Sequence, residues 1–212
     1  MEKKIYPDNC VVLDGRLDEA VWNEVPTYTG FTTRKVVGGE LVKDQTFVKI
    51  LPCENRVYFG IKCMESNMDF VRSFASQNIY CGSSVEVFLS PTGSASEVYN
   101  FAVTIDSLTQ VIYYVEGGNN KAVFTPDWNH AVYMGENYWS IEIEFPLSAF
   151  NYSPIEKWTD EWLVNVIRNQ PSATEKGPWG QPIFTCSTWS KIEKSFLEGR
   201  NFQRISGMPM RA

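Results

Sequence analysis

Trp139-Ser-Ile-Glu-Ile-Glu-Phe145 alternates without a break. Trp139, Ile141, Ile143 and Phe145 fall on one side of an extended chain, and Ser140, Glu142 and Glu144 fall on the other. A period of two belongs to a strand, and it predicts one face in a core and the other toward water, the habit of an antiparallel sheet. Short β-branched or aromatic runs recur in both directions from it: Val57-Tyr-Phe-Gly-Ile-Lys-Cys63, Ser84-Val-Glu-Val-Phe-Leu89, Val98-Tyr-Asn-Phe-Ala-Val-Thr-Ile105, Val111-Ile-Tyr-Tyr-Val115 and Trp162-Leu-Val-Asn-Val-Ile-Arg168. Gly, Pro, Asn or Ser bounds each of them. The pattern predicts an all-β, antiparallel sandwich of jelly-roll or immunoglobulin-like type. One short helix is expected near the N-terminus, over Asp18 to Glu24, with Asp18 as N-cap, Val21 and Trp22 as its apolar side and Pro26 as its stop. The stretches Glu65 to Gly82 and Ala173 to Arg204 break the rhythm and read as loops, where function usually sits.

The 212 residues, 43% hydrophobic and 21% charged, suffice for one core, and no repeat, low-complexity tract or linker divides them. Residues 1–212 therefore read as a single domain. Aromatic residues make up 14%, enough to leave flat rings for stacking once a core is filled. The formal charge of -6 argues against nucleic acid as a partner, because affinity for a phosphate backbone rests on Lys and Arg. No apolar run approaches the roughly 20 residues of a membrane helix, so a soluble chain with no membrane partner is expected. Cys10, Cys53, Cys63, Cys81 and Cys186 are odd in number and form no CxxC pair, which predicts buried thiols rather than a zinc cage or a disulfide framework. Met1-Glu-Lys-Lys-Ile-Tyr-Pro7 leads into no apolar segment, so no secretion signal is expected. That fits a cytoplasmic protein or an excised or processed module.

Strand parity also sorts the candidate residues. In Ser84 to Leu89, Val85, Val87 and Leu89 share one face and leave Glu86 on the other with Phe88; in Val98 to Ile105, Asn100, Ala102 and Thr104 oppose the apolar face. If the two strands are neighbours, a carboxylate, an amide and a hydroxyl meet on one surface, which suits a polyhydroxylated ligand; the alternative is a plain solvated sheet face. Glu142 and Glu144 lie about 6.6 Å apart along one strand, within the range of a glycosidase pair, but on a single strand they read as a solvated face. His130 has no ligand or base partner at useful spacing and reads as a loop residue. Trp22, Trp139 and Trp162 read as core, whereas Trp179 and Trp189 sit among turn residues and are candidates for binding.

Five segments together resemble the family 9 carbohydrate-binding modules: Leu13-Asp-Gly-Arg-Leu-Asp-Glu-Ala-Val-Trp22, Arg56 to Cys63, Ser83 to Leu89, Tyr138 to Leu147 and Trp162 to Arg168. A sixth, Ser187-Thr-Trp-Ser190 running on to Phe202, is similar to that family's closing loop. The resemblance implies a sandwich that binds the end of a glucose- or xylose-based chain by clamping one sugar ring between two aromatics. The clamp positions fall at Tyr80 and Phe196, the sugar-bonding carboxylate at Glu86 and an amide at Asn165. Both clamp residues are Trp in the best-known members. The family's Arg and Asn on the strand after the Glu are Ala102 and Thr104 here, so a charged donor is missing. The resemblance allows a structural calcium, with no ligand set matched residue by residue, and implies no other cofactor.

A non-catalytic carbohydrate-binding protein is therefore expected, with a mono-, oligo- or polysaccharide as partner, in support of carbohydrate catabolism and in association with a glycoside hydrolase. Its ligand-binding residues are Tyr80, Glu86, Asn100, Asn165 and Phe196, with Trp179, Trp189 and Arg168 behind them. The rival readings are a sandwich kept as a structural or protein-interaction module, a glycan-active enzyme using Glu142 and Glu144, and a haem-binding domain using His130 with a Met.

Overall fold

Alternating segments drive the chain into two antiparallel sheets that face each other across one apolar layer. The structure, a computed structural model, describes residues 4–35, 38–76, 78–115, 118, 120–155 and 157–211. With strands numbered along the chain, the first sheet runs β1 (Thr27–Tyr28), β3 (Thr46–Pro52), β4 (Arg56–Met64), β10 (Tyr138–Pro146), β9 (Asn129–Met134). The second runs β2 (Thr32–Thr33), β12 (Pro182–Thr188), β11 (Glu161–Lys176), β5 (Ser84–Ser90), β6 (Glu97–Thr104), β7 (Thr109–Val115), β8 (Asn120–Val123), and β13 (Gln203–Ser206) pairs with the start of β11. All six segments read as strands from their sequence are strands.

Phe59, Ile61, Ile141, Ile143 and Phe145 from the first sheet meet Val85, Val87, Phe101, Val103, Val164 and Val166 from the second. Each such side chain contributes about 1.5–3 kcal/mol by leaving water. Trp139 and Trp162 close the layer, as expected, and Trp22 is also fully enclosed.

Several expectations need correction. The N-terminal helix is a single 3-10 turn, Ala20–Asn23, and Asp18 does not cap it: Glu19 holds the N-cap position, and its carboxylate instead accepts from Val12 N and from Trp22 Nε1. A second helix, α1 (Met68–Ser73), lies in the stretch read as loop; Asn67 caps it by accepting from Phe70 N, and Met68 and Val71 bury its inner side. The stretch read as loop, Ala173 to Arg204, contains the end of β11, all of β12 and the start of β13. These strands lie toward one edge of the sheet and carry little apolar alternation, so nothing local announces them.

The largest correction concerns β10. Ser140, Glu142 and Glu144 do not face water: the segment Leu13 to Trp22 lies across the first two, and Arg56, Tyr58 and Asn129 hold the third. Gly15 lies so close that a Cβ there would sit 2.7 Å from the backbone of Val132 and Tyr133, and its φ of +84° is one that L side chains rarely adopt. Trp22 then packs with Tyr6, Leu51, Cys53 and Tyr58 into a second small core on the outside of the first sheet.

Candidate functional site

The outer face of the second sheet centres on Glu86. Strand pairing sets a row across it: Thr188 opposite Ile167, Ile167 opposite Glu86, Glu86 opposite Ala102, and Ala102 opposite Gln110. Glu86 is thus flanked by one apolar and one small residue, with polar groups a step away along its neighbours. Asn169 Nδ2 donates to its Oε1 at 3.0 Å and Asn100 Nδ2 to its Oε2 at 3.2 Å. The alternative of a plain solvated sheet face does not hold here: Glu86 is 8% exposed and Asn100 is buried. Thr104, the expected hydroxyl, is spent on the turn that follows, where it accepts from Leu108 N.

Two neutral amides do not offset the loss of water around a carboxylate, so burial pushes the Glu86 carboxyl above its ordinary value. The surrounding groups record its charge. The Tyr80 hydroxyl is pushed up to about 12, first by burial and then by Glu86, and the Cys186 thiol likewise up to about 12. Tyr114 is raised by burial and by the same carboxylate.

The two expected clamp residues stand on opposite flanks. Tyr80, 46% exposed, follows an Asn78 turn and reaches over the β6–β7 side, where its hydroxyl donates to Gln110 Oε1 at 2.9 Å. Phe196 belongs to the closing loop on the β11–β12 side, packed with Cys186 against Phe88, Val98, Leu163 and Ile167. The Arg34 guanidinium lies over the Phe196 ring, 5.0 Å from its centroid. A cavity of about 520 Å³ opens there, lined by Thr33, Arg34, Phe184, Thr185, Cys186 and Phe196.

The other expected residues divide. Asn165 is fully enclosed: its Oδ1 accepts from Ser190 N at 2.8 Å, and its amide group exchanges hydrogen bonds with Thr188, so it fastens the closing loop and is shut off from ligand. Arg168 is on the opposite side of the sheet, 1% exposed, paired with Glu65 at 3.0 Å and donating to Asp44 O. Trp189 packs on Tyr28, with centroids 4.8 Å apart. Trp179 is 89% exposed at the tip of the β11–β12 turn. Asn169, Gln110, Tyr114 and Arg34 were not anticipated. Asn169 is legible in the sequence, for it follows Asn165 and Ile167 at a spacing of two.

The carboxylates of β10 are engaged by the protein itself. Glu142 accepts from Asp14 N (3.0 Å), Gly15 N (2.8 Å) and Trp22 Nε1 (3.0 Å), and Glu144 is held by Arg56, Tyr58 and Asn129. Neither is open to a glycosidic bond. His130 lies on β9 and not in a loop, half-buried beside Trp128, and burial lowers its pKa. For the calcium that the resemblance allows, no group of three or more His, Cys, Asp or Glu among the described residues is placed to hold a metal ion. Where Asp44 and Glu65 do meet, Arg168 and Gln170 take their oxygens, so the residues present do not fit a cation.

No family model and no curated protein matches the chain by sequence. Solved structures do match. A family 9 carbohydrate-binding module of Caldicellulosiruptor kristjanssonii in complex with cellotriose covers 95% of this chain and 92% of its own, at 15% identity and a TM-score of 0.61. The fold is that of a family 9 carbohydrate-binding module. A module of that family from the same organism in complex with glucose gives 13% identity, 97% and 95% coverage and a TM-score of 0.62. A Bacteroides uniformis protein assigned to carbohydrate binding gives 14%, 95%, 96% and 0.65. Among the described residues no helix is long and apolar enough to cross a membrane.

Proposed function

We propose that the chain binds a sugar ring on the outer face of the second sheet without transforming it. The observation that carries this reading is Glu86: a carboxylate nearly withdrawn from water, held by two side-chain amides of its own sheet and flanked on opposite sides by Tyr80 and Phe196. A buried carboxylate with spare lone pairs accepts hydroxyl hydrogens, and each such charge-assisted bond contributes about 1.5–3 kcal/mol. Tyr80 and Phe196 offer apolar ring faces to the C–H surface of a pyranose, and the fold is shared with modules solved with glucose and cellotriose. Such a module would keep a polysaccharide close to a glycoside hydrolase during its breakdown.

Calorimetric titration with glucose, cello-oligosaccharides and xylo-oligosaccharides tests the reading. Saturable heat is expected, weakened about tenfold in Tyr80→Ala through lost stacking. Silence across the panel would instead favour a protein-interaction module.

A further inference from the structure

The outer face of the first sheet carries a separate cavity of about 350 Å³, a size suited to one ring. Arg16, Lys49 and Lys62 line it, and no carboxylate does, in a chain whose 25 Asp and Glu outnumber 19 Lys and Arg. Apart from Thr27, its remaining wall is apolar or aromatic and includes Phe47 and Tyr138; Gly60, without a side chain, lets Leu17 seat against the strand, for a Cβ there would lie 2.2 Å from Leu17 Cδ2.

Strand register explains why charge accumulates. Lys49 stands opposite Gly60 and Phe47 opposite Lys62, so the two lysines are diagonal neighbours on adjacent strands and repel. Neither has an acidic partner among the described residues. Lys62 Nζ sits 3.9 Å from the centroid of the Tyr138 ring, and Lys49 donates to Trp22 O. Arg16 shares only a loose, half-exposed pair with Asp14 at 3.5 Å and lies over Tyr133. An anion between the lysines would relieve the repulsion, and the aromatic wall favours one carried on a ring.

We propose that this cavity is a second binding site, independent of Glu86, for a carboxylate borne by a six-membered ring with an apolar face. The ring lies against Phe47 and Tyr138, and the carboxylate sits between Lys49 and Lys62 with Arg16 at the rim. Uronic acids and aromatic acids share this chemistry. The intact chain is titrated with glucuronate, benzoate, inorganic sulfate and glucose, as wild type and as Lys62→Met, Arg16→Gln and Tyr80→Ala, with each variant first shown to be folded by circular dichroism. The expected result is saturable binding of glucuronate or benzoate, weakened about tenfold by Lys62→Met, less by Arg16→Gln, and untouched by Tyr80→Ala. Glucuronate alone binding identifies a sugar acid, and benzoate alone an aromatic acid. The proposal is overturned if neither binds, if sulfate binds as well as both, or if Lys62→Met has no effect. Loss in Tyr80→Ala in its place would assign the heat to the Glu86 face, and failure there leaves the present site untouched.

Discussion

Glu86 and Glu142 occupy equivalent places in the two sheets. Each sits mid-strand between apolar neighbours, in Val85-Glu-Val87 and Ile141-Glu-Ile143, and each points away from the shared core. Their surroundings differ completely. Glu142 is 0% exposed beneath Leu13 to Trp22, with two backbone donors and an indole from that segment on its oxygens. Glu86 accepts instead from Asn100 and Asn169, side chains of its own sheet. A covering segment turns one carboxylate into a fastening with backbone donors, whereas the other is held by side-chain amides.

The largest effect should come from breaking the covered member. Glu142→Ala strands Gly15 N, Asp14 N and Trp22 Nε1 without acceptors, at a cost of about 3 kcal/mol, and calorimetry should show Tm falling by roughly 6–12 °C. Glu86→Ala should abolish sugar heat while costing only about 1 kcal/mol, because it removes two side-chain hydrogen bonds and strands no backbone donor. Comparable unfolding in both variants would erase the contrast.

A pH series sharpens it. The folded-state pKa of Glu86 is raised, so its contribution to stability is fully present below the unfolded value of about 4.3 and is lost as pH rises through the folded value. Denaturant titrations should therefore show Glu86→Gln gaining on wild type across that window. Sugar affinity of the wild type should rise over the same range as the carboxylate ionises, since Tyr80 and Cys186, both near 12, keep their protons. The smallest effect is expected at Trp179. Its ring stands in solvent, so Trp179→Ala should leave Tm and sugar heat within error, with stability changed by no more than about 0.5 kcal/mol.

Where an element carries its own alternation, its sequence was enough: β4, β5, β6, β10 and the first half of β11 are strands where the pattern places them. Parity reaches to the end of this stretch of β11. Arg168 follows Trp162, Val164 and Val166 at a spacing of two and so belongs with the core side, while Asn169 belongs with Asn165 and Ile167 on the outer side. The cover over Glu142 was not legible, because it joins residues more than a hundred positions apart through Gly15 and Trp22. The helix Met68–Ser73 is too short to show a period, and β12 and β13 take their place from pairing with β11 rather than from their own composition.

The clasp between Gly15 and Glu142 spans 127 residues of chain. During synthesis the N-terminal segment emerges long before its partner strand exists, so the Leu13 to Trp22 stretch waits without a surface to close on. Contacts of such sequence separation place the protein among slow folders. Seating of that segment is expected to be a late folding event, one that a chain shortened at its C-terminal side before β10 could never complete.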